Sequence, residues 1–412
     1  MNLFLNLSIA VISPFFNLLR QRSTKSKYIA SIMFVTIAGT ILNFNESADG
    51  LVYDGRVKNY YLNMDIQTFL IQLFEIMTFN ETEIGVTDLY IHIVSYISGG
   101  ILCFPPAFWI IVGFVYAYFY IGSIFMLKKY IGKLSFNYLF FFFVLVLLSK
   151  SIDGINTVRT WTGFWFLFYF NLKFALTKQS RYFILSLFAP FFHIMYLAVI
   201  IPIITSHFIY KNNLIVSGIL SFSILFKSLD ITSLYQKLGY IFESVNNKAA
   251  AYNISNADIM LKELISTTRW YVGLYAIGLQ NYVIMFLYFI IIFQSKTIKI
   301  TNYKPYYFLN TGALIMSLSN FSGNNVSLAG RSAICALIFM LSGICMIISE
   351  NNNTKNKNLY VLASIALVPY FIFRIADIYY FVSIWLFIFP FIPWIDPGLN
   401  VSIESIVAYF LK

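Results

Sequence analysis

Long apolar runs separated by short basic segments constrain the fold of this chain more than any other feature. Hydrophobic residues make up 59% of its 412 residues and charged residues only 11%, whereas roughly 25% of the residues of a soluble domain are charged. Clear runs such as 106–127 and 160–177 approach or reach the roughly 20 residues that a helix needs to cross a bilayer. The sequence therefore predicts an all-α, polytopic integral membrane protein with about ten to twelve transmembrane helices, forming a single domain over residues 1–412.

The positive charge of the chain is distributed between the apolar runs. The formal net charge is +11, but the lysines and arginines do not form the single basic patch that nucleic acids bind, so we expect no nucleic-acid partner. Basic loops of membrane proteins face the cytoplasm, and Lys128 and Lys129 accordingly mark a cytoplasmic loop. The acidic segment 45–88 and the charge-balanced loop 230–269 are predicted to be external.

The run 182–210 decides the topology of everything that follows it. It is long for one helix and contains Pro190 and Pro202. If it crossed the membrane once, later lysines such as Lys296 would face outward, against the positive-inside rule. We therefore predict a broken, re-entrant pair of helices, which a membrane tolerates where the irregular backbone lines protein or a water-filled cavity.

Two further apolar runs, 359–373 and 378–394, lie near the end of the chain and are separated by Arg374 and Asp377. Charged side chains are costly in hydrocarbon. We therefore predict an outward and an inward helix, with Arg374 and Asp377 at the external turn between them.

Arg159 and His193 are unexpected in their apolar surroundings, and an arginine at such an edge costs a few kcal/mol unless it reaches water or a partner. At roughly 1.5 Å per residue, the run after Arg159 descends nearly the whole of a roughly 30 Å hydrocarbon layer. The next run climbs roughly 20 Å before it reaches His193, so both side chains are predicted on one side of the membrane. Arg159 alone is equally explained as a snorkelling anchor, and His193 as a ring bonded to a carbonyl, but their pairing favours a functional role.

Short motifs around these residues resemble the EpsG-like group of Wzy-type polysaccharide polymerases, which make O-antigen and exopolysaccharide. The motifs are R-T-W-T-G-F from Arg159 and A-P-F-F-H-I around His193. Asp49 and Tyr53 resemble the D-x-x-x-Y element of that group. Arg331, which follows a polar turn, resembles its later arginine.

The resemblance implies an enzyme that polymerises undecaprenyl-diphosphate-linked oligosaccharide repeat units into O-antigen, capsule or exopolysaccharide. It would act at the outer face of the bacterial cytoplasmic (inner) membrane, with catalytic roles for Arg159, Arg331 and His193. Arginine offers a planar, permanently charged fork suited to phosphate, and histidine is the usual base near neutral pH. The residues expected to bind substrate are Asp49, Tyr53, Asp54 and Trp161, and the two aspartates are also alternative bases.

No cofactor and no metal site is expected. The cysteines Cys103, Cys335 and Cys345 lack the spacing of metal ligands, and the external acids are separated in sequence. We therefore expect a metal-independent reaction in which the two arginines supply the positive charge. The implied partners are the lipid-linked oligosaccharide and the bilayer, with a chain-length regulator and a flippase as candidate protein partners.

Two alternative functions remain open at this point. A lipid-linked oligosaccharide flippase would also be helical and basic, but such transporters are built from two similar halves with charges deep in several helices. An O-antigen ligase is chemically closer to a polymerase. The glycan of a deletion strain separates these functions, because surface chains of a single repeat indicate lost polymerisation and absent chains indicate lost export or attachment.

The predicted topology can be tested by labelling single cysteines from outside the cell in a cysteine-free variant. We expect labelling within 230–269 and none at Lys178 or Lys296, because the basic residues hold their loops in the cytoplasm. Labelling at Lys296 together with protection of the long loop would contradict the re-entrant interpretation.

Overall fold

The computed structural model of this protein describes residues 9, 12–43, 49–78, 80, 82, 84–132, 134, 137–226, 269–294, 303–323, 325–350 and 357–410. Over these ranges the chain is helical without a β-strand, apart from one isolated bridge between Ser383 and Ser402, which confirms the all-α prediction there. The helices are α1 (Pro14–Arg20), α2 (Thr24–Thr40), α3 (Asp49–Asn59), α4 (Ile66–Met77), α5 (Leu89–Tyr96), α6 (Ala107–Ile131), α7 (Tyr138–Ser149), α8 (Val158–Thr177), α9 (Ser180–Ser186), α10 (Tyr196–Ile209), α11 (Asn213–Leu225), α12 (Trp270–Ala276), α13 (Leu279–Gln294), α14 (Lys304–Phe321), α15 (Val326–Glu350), α16 (Lys357–Ala366), α17 (Val368–Phe381), α18 (Ile392–Ile395) and α19 (Ile403–Phe410).

Three described stretches are long and apolar enough to cross a membrane, namely Ala107–Ile131, Tyr138–Thr177 and Ser327–Glu350. The bent pairs α12 with α13 and α16 with α17 raise the number to five if each pair counts as one span. The described chain is thus an all-helical protein with three to five candidate membrane spans. The larger number of ten to twelve stays a prediction.

The centre of the protein is the hairpin of α14 and α15. In the apolar 18-residue window of α15, 89% of the chain is buried inside the protein. Such burial is expected of a helix that is hydrophobic all round. A Cβ atom added to Gly312 would lie 2.8 Å from the backbone nitrogen of Met340, and one added to Gly343 would lie 2.8 Å from that of Leu309. Each helix therefore presents a glycine to the backbone of the other, and such small residues allow close packing of membrane helices.

The two ends of the helix bundle differ in the residues that they collect. We call the end at which α8 begins the Arg159 end and the opposite one the Thr177 end. At the Thr177 end, the Tyr303 hydroxyl donates to the Ala175 carbonyl at 2.8 Å, and the Tyr130 hydroxyl donates to the carboxylate of Glu350. The basic residues predicted to be cytoplasmic that flank these contacts, such as Lys129 and Lys178, therefore share one end of the bundle.

The segment from α9 to α10 runs toward the Arg159 end and then turns back. In α9, the Phe183 ring lies 5.5 Å from that of Phe174, near the end of α8. After the break, the Tyr196 hydroxyl donates to the Thr160 carbonyl in the first turn of α8. α10 then returns, so that the His207 ring stacks on Phe183 with centroids 4.4 Å apart. The predicted broken pair that reverses direction is confirmed, and its position relative to a membrane stays a prediction.

The prediction that Arg374 and Asp377 form an external turn is wrong. Both lie within α17, and Arg374 is 1% exposed. Its Nη2 donates to Asp153 Oδ2 at 2.6 Å, its Nε donates to the Leu148 carbonyl at 3.0 Å, and its Nη1 donates to the carboxylate of Asp377. Because these acceptors satisfy the guanidinium group, the helix carries its charge inside the protein without a turn.

The predicted inward helix over 378–394 is also wrong. Between 382 and 400 the chain forms only single helical turns and the four-residue α18. It stays at the Arg159 end, since Trp394 Nε1 donates to Thr40 Oγ1 at the end of α2 over 3.0 Å. Proline interrupts a helix because it lacks the backbone N–H and clashes with the preceding turn. This segment holds three prolines, which are Pro390, Pro393 and Pro397.

The external segment predicted over 45–88 contains two helices, α3 and α4, in the part that the structure describes. Other predictions fall outside the described residues. These are the loop 230–269 except for its last residue, and Lys296.

The close approach of α14 and α15 generates a stability prediction. Alanine normally favours a helix over glycine by about 1 kcal/mol, but Gly312→Ala should lower the melting temperature of the purified protein, because overpacking costs about 1–3 kcal/mol. Gly218→Ala in α11 is the matched control, since its added Cβ meets no atom within 4 Å. A Gly312→Ala protein that melts at or above the Gly218→Ala protein would contradict this packing.

Candidate functional site

The three predicted catalytic residues meet at the Arg159 end although they come from separate elements. Arg159 lies in the first turn of α8, His193 lies in the irregular backbone between α9 and α10, and Arg331 lies near the start of α15. Arg331 Nη1 is 3.3 Å from Nε2 of His193. His193 is 3% exposed, so its ring faces the protein interior. A fourth residue, Asp88, connects Arg159 to the backbone beside His193.

Asp88 connects three elements through one buried carboxylate. One of its oxygens forms an ion pair with Arg159 Nη1. The other accepts the backbone N–H of Ile194 at 3.2 Å. A buried ion pair is stable only when its geometry is good and further hydrogen bonds satisfy the remaining atoms. The start of α5, the start of α8 and the break before α10 are therefore held together at this point.

Asp88 stands at a position where an aspartate side chain usually makes a helix-capping hydrogen bond. Asp88 is the residue before α5, where aspartate usually caps a helix by accepting an N–H of the first turn. Its side chain makes no such bond. It is directed instead to Arg159 and Ile194, so the ion pair prevails over a capping bond whose loss costs roughly 1 kcal/mol.

The break that carries His193 packs closely on the first turns of α8. Pro190 lies in the single helical turn Ala189–Phe191 and cannot donate a backbone hydrogen bond. A Cβ atom added to Gly163 would lie 2.8 Å from the Cβ of Phe192 and 2.7 Å from the ring of Tyr196. The glycine of the R-T-W-T-G-F motif therefore makes room for the segment of the A-P-F-F-H-I motif.

The His193 ring faces a donor at each nitrogen. Its Nδ1 is 3.1 Å from the backbone N–H of Met195, and its Nε2 faces Arg331, whose guanidinium group has donors only. A neutral imidazole has one nitrogen with a free lone pair. The ring can therefore accept from only one of these two donors at a time. The tautomer decides whether Nε2 is able to accept a proton.

Tyr53 joins the cluster from α3. It is buried, and its ring centre lies 5.6 Å from Cζ of Arg159. A guanidinium group over an aromatic face is attracted by the negative face of the ring. The tyrosine of the D-x-x-x-Y element thus contacts the arginine of the first motif, although 106 positions separate the two residue numbers.

The remaining predicted substrate-binding residues lie outside this cluster of described contacts. Asp49 begins α3, but its side chain is outside what the structure describes. Asp54 Oδ2 is 2.5 Å from Nζ of Lys58, one turn away on the exposed side of α3. Trp161 is 4% exposed, and Lys150 Nζ lies 5.1 Å from its ring centre. The Trp161 ring is therefore covered in this structure, and its role in substrate binding stays a prediction.

A second buried ion network fixes the backbone that precedes Arg159. Lys150 Nζ lies 3.0 Å from Asp153 Oδ2, which also accepts from Arg374. The carbonyl of Lys150 accepts from the Tyr116 hydroxyl at 2.8 Å and from Trp165 Nε1 at 3.0 Å. The short connection between α7 and α8 is thus bonded on several sides. Its rigidity determines where α8, and with it Arg159, begins.

Sequence reasoning missed Asp88, although the sequence contained a usable signal. Asp88 is the last acidic residue before an apolar helix, just as Arg159 stands at the edge of another. Two opposite charges at the edges of predicted membrane helices are candidates for pairing. The partner, 71 positions away, follows only from the packing of α5 against α8.

The arrangement offers two guanidinium groups and one imidazole at a single end of the bundle. Guanidinium groups bind phosphate in a bidentate manner, and an imidazole can take or give a proton near neutral pH. Among the described residues, no group of three or more histidine, cysteine, aspartate or glutamate side chains could hold a metal ion. The metal independence of the reaction stays a prediction.

The Asp88 ion pair generates a prediction about stability. Asp88→Asn keeps an acceptor for the N–H of Ile194 but leaves the Arg159 charge without this carboxylate, and breaking a buried pair costs about 3–5 kcal/mol. Asp54→Asn is the matched control, because an exposed pair contributes about 0–1 kcal/mol. Thermal unfolding of the purified variants measures both costs. Equal melting temperatures for the two variants would contradict the structural role of Asp88.

Comparison with protein-family models, with curated proteins and with solved structures finds no match to this chain. A function must therefore be inferred from the residues that meet at the Arg159 end and from the motifs that contain them. The observation available for this inference is the convergence of Arg159, His193 and Arg331.

Proposed function

We propose that this protein is a membrane glycosyltransferase that polymerises undecaprenyl-diphosphate-linked oligosaccharide repeat units into O-antigen, capsule or exopolysaccharide. The proposed place of action is the outer face of the bacterial cytoplasmic membrane. One observation carries the proposal: Arg159, His193 and Arg331, which the motif resemblance selected from three distant segments, lie in one cluster. The contact of Tyr53 with Arg159 adds a fourth motif residue to it.

The cluster contains the groups that the proposed reaction needs. The acceptor sugar hydroxyl forms a new bond to the anomeric carbon of the donor, while the bond from that carbon to the diphosphate oxygen breaks. The leaving lipid diphosphate carries the negative charge, which the guanidinium groups of Arg159 and Arg331 stabilise. In the tautomer that carries its hydrogen on Nδ1, the hydroxyl proton passes to Nε2 of His193.

The contact between Arg331 and His193 sets the order of these events. His193 Nε2 faces Arg331 and is buried, so an incoming hydroxyl reaches it only after the guanidinium group moves. A hydrogen bond that involves an ionised group is roughly twice as strong as a neutral one, and a phosphate oxygen carries the negative charge that a neutral imidazole lacks. The diphosphate therefore attracts Arg331 away from the ring, and the base becomes accessible when the donor is bound.

An O-antigen ligase would use the same kind of donor and remains the nearest alternative. The glycan of a strain that lacks this protein distinguishes the two activities. Loss of polymerisation leaves surface chains of one repeat unit, whereas loss of ligation leaves the polymer on its lipid carrier. If the strain makes polymer of normal length that is not attached, the activity of the protein is ligation and the proposed polymerase activity is refuted.

The arginine roles can be tested by substitutions that keep the charge. Arg159→Lys and Arg331→Lys each lose the bidentate fork, and a lost hydrogen bond to a charged group costs about 1.5–3 kcal/mol, so we expect polymerisation to fall by about tenfold or more at normal protein abundance. Arg181→Lys is the control, since Arg181 is exposed in α9. Polymer length on gels reports the result, and wild-type length from both site variants would refute the clamp.

The role of His193 needs a separate substitution. His193→Gln can still form hydrogen bonds but cannot take the proton, so we expect it to slow the chemical step more than donor binding. Single-turnover rates and donor affinity, measured with the purified protein and a lipid-linked repeat unit, separate the two effects. If His193→Gln keeps near-normal rates while both lysine variants fail, His193 is structural and Asp49 or Asp54 becomes the candidate base.

A further inference from the structure

Helix α4 (Ile66–Met77) presents three chemically different faces. Gln72 and Ile76 are buried against the protein. A second face carries a row of exposed apolar side chains with the spacing of one helical stripe; its members are Ile66, Leu70, Phe74 and Met77. A third face carries the half-exposed Thr68 and Glu75, whereas Gln67 lies on the exposed side between Phe74 and Ile71. The first face therefore matches the protein interior, the second an apolar medium and the third water.

The orientation of α4 is fixed by its contacts with α5. The Phe69 ring stacks on Tyr96 with centroids 4.0 Å apart and on His92 with centroids 4.6 Å apart. The Tyr61 hydroxyl lies 2.8 Å from His92 Nδ1, and His92 Nε2 lies 3.1 Å from the Phe69 carbonyl. Burial raises the pKa of Tyr61, so its hydroxyl stays protonated and donates to Nδ1, while Nε2–H donates to the carbonyl. The exposed row is therefore held away from the protein.

The N-terminus of α4 is suited to water. Asp65 is exposed and caps the helix, its Oδ1 accepting the N–H of Thr68 at 2.9 Å and that of Gln67 at 2.8 Å. The bonds from the backbone and hydroxyl of Thr68 lower the pKa of Asp65, so this carboxylate is ionised at neutral pH. A charged cap beside an exposed apolar row is the pattern of a helix that lies in the plane of a membrane interface.

The surface beyond α5 continues this apolar character. α5 leads into a connection with the exposed side chains Ile101, Leu102 and Phe104. The connection enters α6, a candidate span whose exposed side chains Ile110 and Phe114 are four positions apart. α4 therefore packs on the element that leads into a surface typical of contact with lipid. Asp88, the residue before α5, bonds Arg159.

We propose that α4 lies in the membrane interface on the side of the Arg159 end, with Ile66, Leu70, Phe74 and Met77 among the lipid acyl chains. The sequence of α4 contains no lysine or arginine, whereas interfacial helices that select anionic lipids rely on basic residues. Neutral phosphatidylcholine is therefore a sufficient partner. The placement fixes the Arg159 cluster near the depth of lipid headgroups. Only the further step, that this depth suits a lipid diphosphate, rests on the proposed function.

Fluorescence quenching tests this placement. Single cysteines replace Leu70, Phe74 or, as the control on the polar face, Thr68, in a chain without Cys103, Cys335 and Cys345. Each variant is labelled with bimane and reconstituted in phosphatidylcholine vesicles with and without doxyl-labelled phosphatidylcholine. We expect doxyl lipid to quench the probes at Leu70 and Phe74 several-fold more strongly than the probe at Thr68, and aqueous iodide to give the opposite order.

Two outcomes overturn the proposal. Equal iodide quenching at all three positions would place the apolar row in water. Protection of Leu70 and Phe74 from both quenchers would show that protein covers the row, through a second copy or another partner. Size-exclusion profiles that match the unsubstituted protein establish that each variant is folded. Because the readout contains no glycan, loss of the polymerase assignment would leave this result unchanged.

Discussion

The need to satisfy one buried carboxylate determines how the Arg159 end is assembled. Leaving a buried charge unpaired costs several kcal/mol, so Asp88 must bring partners to its position. It receives the guanidinium group of Arg159 from α8 and the backbone N–H of Ile194 from the break before α10. His193, one residue before Ile194, is then held near Arg159, and Arg331 reaches the ring from α15. The geometry of the candidate site follows from this pairing.

A second network of side chains compensates a buried charge close to the Asp88 ion pair. Arg374 lies inside α17, where Asp153 and Asp377 balance its charge together with that of Lys150. Two acids and two bases make this network neutral, and its bonds hold the connection that precedes α8. Arg159 is consequently fixed from two sides, by the neutral network before it and by Asp88 across from it. Such doubly supported side chains suit a site whose function depends on position.

The features that follow from the number of residues between two positions could be predicted from the sequence. Arg159 and His193 were correctly placed at one end because α9 packs straight back along α8, so that helix rise alone measures depth. Asp88 and the burial of Trp161 were missed because they depend on which helices pack together. The external turn at Arg374 was wrong for the same reason: the sequence shows a charge in an apolar run, but its partner Asp153 lies 221 positions away.

Arg159 and Arg331 make different contacts, and these contacts bear on their roles in the proposed reaction. Arg159 is paired with a carboxylate, and Arg331 contacts a ring nitrogen that bears no formal charge in neutral histidine. A phosphate oxygen adds the attraction of opposite charges to the hydrogen bond that such a guanidinium group donates. Movement of Arg159 would instead expose the buried carboxylate of Asp88, at a cost of several kcal/mol. In the proposed reaction, Arg159 is therefore the fixed point at which the diphosphate is held, and Arg331 supplies the second guanidinium group beside His193.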